Sequence, residues 1–88
     1  MPIISQFYGI LIYMYREIGG HHNYAHVHVK YNEYEMSITV DGKVLGGNLP
    51  KKQRKLVDAW IELHKDELKA AWHALNNDGE IIKIKGLE

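Results

Sequence analysis

The chain has 88 residues, 45% of them apolar and 25% charged, with 11 basic and 11 acidic side chains and a formal charge of zero. That length makes one domain, 1–88, and that composition is globular rather than disordered. Zero net charge excludes a whole-surface attraction for nucleic acid, and the lack of cysteine excludes disulfides and thiolate metal sites and fits a reducing, cytoplasmic setting.

The opening stretch, Met1 to Glu17, carries an apolar run without a basic leader or a small-residue cleavage site. It is too short and too polar to span a bilayer, so no membrane contact is expected. Ile3 to Phe7 is a candidate short strand, interrupted at Gly9. Ile10 to Arg16 reads as the first long strand, rich in residues that suit a pleated surface. Gly19-Gly20 opens a loop, and Tyr24 to Tyr31 follows as a strand. Asn32-Glu33 marks a two-residue reversal into Tyr34 to Val40, because Asn tolerates positive φ. Asp41-Gly42 marks a second reversal into a short strand, Lys43 to Gly46.

Asn48-Leu49-Pro50 looks like a helix start, with Pro in the first turn. Leu56, Val57, Trp60, Ile61, His64, Leu68, Ala71, Trp72 and Leu75 recur at helical spacing up to about Asn76. One helix over that span is about 40 Å long, which is long for so small a domain. Asp66 and Glu67 suit the first turn of a second helix, so a junction is expected near His64-Lys65. Asn77-Asp78-Gly79 stops the helical pattern. Glu80 to Lys85 reads as a short final strand or an extended tail. The expected fold is α+β: an antiparallel four-stranded meander, one or two C-terminal helices packed on one face, and a short final strand.

Side chains alternate across a strand, so two tight reversals fix which residues share a face. Tyr31 then opposes Tyr34, Val29 opposes Met36 and Val27 opposes Ile38. Ala25 opposes Val40, and Leu45 continues that apolar side. The other side carries His26 opposite Thr39, His28 opposite Ser37, and a Lys30–Glu35 cross-strand ion pair. If Ile10, Ile12 and Met14 join the core, Tyr13 and Tyr15 join the histidines. Two phenols, two imidazoles and two hydroxyls would then stand together on an exposed surface. The plain alternative is the solvated outer face that half-covered sheets normally show.

Met1-Pro2-x-Ile4-Ser5-x-Phe7-Tyr8-Gly9-Ile10, His26-x-His28-Val29-x-Tyr31, Leu49-Pro50 and Trp60-x-Glu62-Leu63-His64-x-x-Glu67-Leu68-x-x-x-Trp72 form a joint pattern. It resembles the domain-of-unknown-function 4160 family of small bacterial and mobile-element proteins. Members typically have prolines before the first histidine of the HxHV element, where Tyr24-Ala25 stands here. The family likeness implies a partner in a toxin–antitoxin-type gene pair.

Three kinds of chemistry fit these residues. The leading expectation is a small protein-interaction module of toxin–antitoxin or mobile-element type. Its polar His/Tyr sheet face, with Tyr15, Ser37 and Thr39, would meet a protein partner or a second copy. The alternative is a ribonuclease-like toxin in which His26 and His28 exchange protons while Tyr13 or Arg16 steadies the phosphorane. Lys51, Lys52 and Arg54, with Lys55, would add a basic patch for RNA, although such a patch is more often a solvated helix face. The second alternative is a metal site through His26 and His28, with His21, His22 or Glu33 as a third ligand. The half-match to a cupin motif is discounted, because the chain is too short for a jelly roll. No cofactor is expected. His64 reads as a core or helix-junction residue, His73 as exposed, and Trp60 and Trp72 as core anchors.

Overall fold

The computed structural model describes residues 3–16 and 24–87, and the structural statements below concern these residues. Five strands, β1 (Ile3–Phe7), β2 (Ile10–Tyr13), β3 (His26–Tyr31), β4 (Tyr34–Thr39) and β5 (Val44–Gly47), form one antiparallel meander in sequence order. Two helices follow, α1 (Lys51–Leu63) and α2 (Lys65–Asp78). The α+β class is as expected, but the sheet has five strands rather than four. The short stretch Ile3–Phe7 is a full member, because Tyr8 and Gly9 (φ +49° and +77°) reverse the chain and pair it with β2.

The β3–β4 register matches the sequence reading from His26↔Thr39 to Tyr31↔Tyr34. Asn32 adopts φ +52°, as the two-residue reversal requires. The second reversal differs. Thr39 N–H donates to the Lys43 carbonyl (2.8 Å) and Gly42 N–H to the Thr39 carbonyl (2.9 Å), so residues 40–42 form a three-residue turn with Gly42 at φ +95°. That extra residue makes Val44, not Leu45, the partner of Ile38. Val44 packs on the core and Leu45 is 40% exposed, so Leu45 does not continue the apolar face. Gly47 then bends at φ +75°, where an added Cβ would lie 2.1 Å from the Glu35 carbonyl oxygen.

The helices cover the face made by Ile10, Ile12, Met14, Val27, Val29, Met36 and Ile38. α1 contributes Val57, Trp60 and Ile61, and α2 contributes Leu68, Ala71 and Leu75. Trp60 is fully buried against Phe7, with ring centroids 5.4 Å apart. The junction falls at His64, as the acidic pair Asp66-Glu67 suggested. Its N–H closes α1 on Trp60, its carbonyl opens α2 through Leu68 N–H, and its Nδ1–H donates to Glu67 (2.7 Å). α2 ends in left-handed Gly79.

Of the two endings expected for Glu80 to Lys85, the short final strand does not form and the tail does. Residues 80–87 run extended and make one backbone bond to the sheet edge, from Ile84 N–H to the Ile4 carbonyl (2.7 Å). The Lys85 carbonyl turns instead to accept from Trp60 Nε1 (2.9 Å). Gly86 lies so close to β1 that a Cβ there would be 2.7 Å from the Gln6 carbonyl oxygen. The segment is fixed to the core by Ile84 rather than by a ladder.

Candidate functional site

On the face away from the β-sheet core, alternation along β2 and β3 lines up a row of rings. Tyr13 is the cross-strand partner of His28. Tyr13 and Tyr15 have ring centroids 6.3 Å apart with planes inclined by 13°, and Tyr15 meets His28 edge-on at 4.6 Å. His28 and His26 follow at 5.3 Å, and His26 and Trp72 at 4.9 Å. Ser37 Oγ and His28 Nδ1 are hydrogen-bonded at 3.1 Å, which fixes the imidazole against β4. Ile10, Ile12 and Met14 do take core positions, which places both phenols beside the histidines.

The row is not uniformly exposed, and this corrects the expectation of one accessible His/Tyr/hydroxyl surface. His26 is only 4% exposed and Thr39 only 7%. α2 carries Trp72 to the start of β3, where its indole stands against His26, and His26 Nδ1–H donates to the Tyr24 carbonyl (3.3 Å). The Thr39 hydroxyl accepts the Lys43 N–H (2.9 Å) and so serves the β4–β5 turn. Helical periodicity marked Trp72 as a core residue but could not say that it reaches this face.

His28 and Ser37 instead border an open depression of about 380 Å³. Tyr13, Tyr15, Lys30 and Glu35 line it too, and Gly46 and Gly47 of β5 leave one side without side chains. Lys30 and Glu35 oppose each other in the ladder as expected. The expected ion pair does not form: the pairs among the described residues are Arg54–Asp58, Lys65–Asp41 and His64–Glu67.

The remaining sequence candidates lie elsewhere. Arg16 is exposed, and its Nη1 would be 3.8 Å from a Cβ placed at Gly79, at the C-terminal end of α2, where a cation suits the helix dipole. Lys51 and Lys52 are exposed in the first turn of α1, and Lys52 borders a separate depression with Tyr8, Tyr31 and Leu56. Arg54 is engaged by both oxygens of Asp58, each at 3.1 Å. None of these four lines the His28 depression. Among the described residues no three His, Cys, Asp or Glu side chains gather as a metal site. His21 and His22 lie outside the described residues, and Glu33 is exposed at the β3–β4 turn. His73 is exposed, with Nδ1 3.1 Å from Asn77 Nδ2.

No helix among the described residues is long and apolar enough to cross a membrane. A family model described as a domain of unknown function, DUF4160, matches residues 9–73. That span holds the whole ring row and every residue lining the depression. No curated protein and no solved structure matches the chain.

Proposed function

This chain belongs to the DUF4160 family, a domain of unknown function, and we propose that it is a small protein-interaction module of toxin–antitoxin or mobile-element type acting in the cytoplasm. The observation that carries the reading is the open depression on the sheet face that bears the ring row. It is walled by Tyr13, Tyr15 and His28, with Ser37, Lys30 and Glu35 at hand. Amphipathic rings with few rotatable bonds give contact area at low entropic cost, and mixed charges at a rim favour a protein over a polyanion.

Light scattering on the purified chain, alone and mixed with the product of the adjacent gene, tests this. A stable complex is expected. Ser37→Lys, which fills the depression, should remove it, and Glu62→Lys, on exposed α1 surface, should leave it intact. A chain that stays monomeric and binds nothing overturns the reading.

The Ser37–His28 bond also keeps a ribonuclease reading in view, because it holds one imidazole beside two phenols. The second proton-transfer group is then Tyr13 or Tyr15 rather than the covered His26. Cleavage of a fluorescent RNA that disappears in His28→Ala supports that reading, and cleavage no greater than the variant's removes it.

A further inference from the structure

Lys30 and Glu35 are cross-strand partners, yet their charged ends are not paired. Both are exposed and both border the depression. The Glu35 carbonyl accepts the Asn48 N–H (3.0 Å), which holds its Cα in the ladder beside the depression and leaves the exposed carboxylate to reach over the rim. The near-parallel rings of Tyr13 and Tyr15 line the same depression. A carboxylate and aromatic faces that border one depression suit one chemical group above others. A guanidinium is planar, stacks on phenol rings, and offers a fork of N–H donors that matches a carboxylate. An ammonium shares the charge but neither the plane nor the fork.

We infer that this face captures an arginine side chain of a protein partner, with the guanidinium stacked on Tyr13 and Tyr15 and hydrogen-bonded to Glu35. The inference rests on the reading of the depression as a protein-binding surface. Access comes over β5, where a Cβ at Gly46 would meet nothing within 4 Å. An extended partner segment passing there can lower one side chain into the depression. A phosphate chain is disfavoured because, among the described residues of the lining, it would find Lys30 as the one lysine or arginine and would face Glu35.

Fluorescence polarisation with a dye-labelled Gly-Ser-Arg repeat peptide, its Gly-Ser-Lys counterpart and an oligouridine strand tests the inference. The proteins are wild type, Glu35→Gln, Lys30→Gln and Tyr15→Leu, each checked by thermal melting. The arginine peptide should bind about threefold or more tightly than the lysine peptide. Glu35→Gln and Tyr15→Leu should each weaken it about threefold, and Lys30→Gln should leave it unchanged or tighter. Equal binding of the lysine peptide, or no effect of Glu35→Gln, overturns the inference. So does oligouridine binding that tightens in Glu35→Gln and weakens in Lys30→Gln, which assigns the face to phosphate. Against the adjacent gene's product, a complex lost in Ser37→Lys but unchanged in Glu35→Gln removes arginine capture and keeps the binding face. A complex that survives Ser37→Lys removes the face itself.

Discussion

At the start of β3, His26 and Thr39 are covered, and the Trp72 indole stands against the imidazole. Two residues along the same strand face, His28 and Ser37 border an open depression. The residue types are nearly the same at the two ends, an imidazole opposite a hydroxyl, and their fates differ. Strand phase assigns a side chain to a face, whereas cover comes from an element far away in sequence. Here that element is α2, whose Trp72 stands against His26 together with the nearby Tyr24. The covered end therefore contributes to stability, and the open end is where the proposed partner would bind.

The sharpest way to break this contrast is Trp72→Ala. It should destabilise the fold by about 2–3 kcal/mol, somewhat below the usual loss for a fully buried tryptophan, read as a lower urea midpoint. An unchanged midpoint would mean that Trp72 covers nothing of consequence. Next come the neighbouring glycines beside the open end. Gly47→Ala should cost at least about 2 kcal/mol, from positive φ and a Cβ driven into the Glu35 carbonyl. Gly46→Ala should stay within about 0.5 kcal/mol. Equal effects at the two positions would refute the β5 geometry.

The histidines themselves come third. His26→Ala should cost about 1–2 kcal/mol, through a lost ring contact and hydrogen bond, and His28→Ala clearly less. The reverse order in chemical denaturation would invert the assignment of covered and open ends. An effect of opposite sign is expected at Ser5, whose hydroxyl is buried without a hydrogen-bond partner. Ser5→Ala should be neutral or stabilising by up to about 1 kcal/mol, because no bond is lost and an orphaned polar group goes. A clear loss of stability there would point to a partner for Ser5.

Much of this was legible in the residues, for local reasons. The alternation of Val27, Val29, Met36 and Ile38 around Asn32-Glu33 is enough to set one register. Asp66 and Glu67 at a helix start are enough to place a junction at His64. The rest depended on terms that local pattern does not carry. Asp41-Gly42 is compatible with a two- or a three-residue turn, and the hydrogen bonds of Thr39 select the longer one, moving Leu45 outward. Ile81, Ile82 and Ile84 have a strand's composition, but β1 takes one bond from that segment and Trp60 claims the next carbonyl. Glu35 and Gly46 were readable as strand residues. Only the tertiary fold makes them walls of a depression.

The bond from Trp60 to the Lys85 carbonyl also bears on the order in which this chain matures. While residues 80–87 are still held in the ribosome exit tunnel, the central indole lacks its acceptor, Ile84 has not closed its part of the interior, and the Ile4 carbonyl still lacks the Ile84 N–H. A nascent chain ending near Gly79 should therefore be loosely packed and prone to sticking through that strand. Consolidation then waits until residues 80–87 have left the tunnel and reached Trp60 and β1.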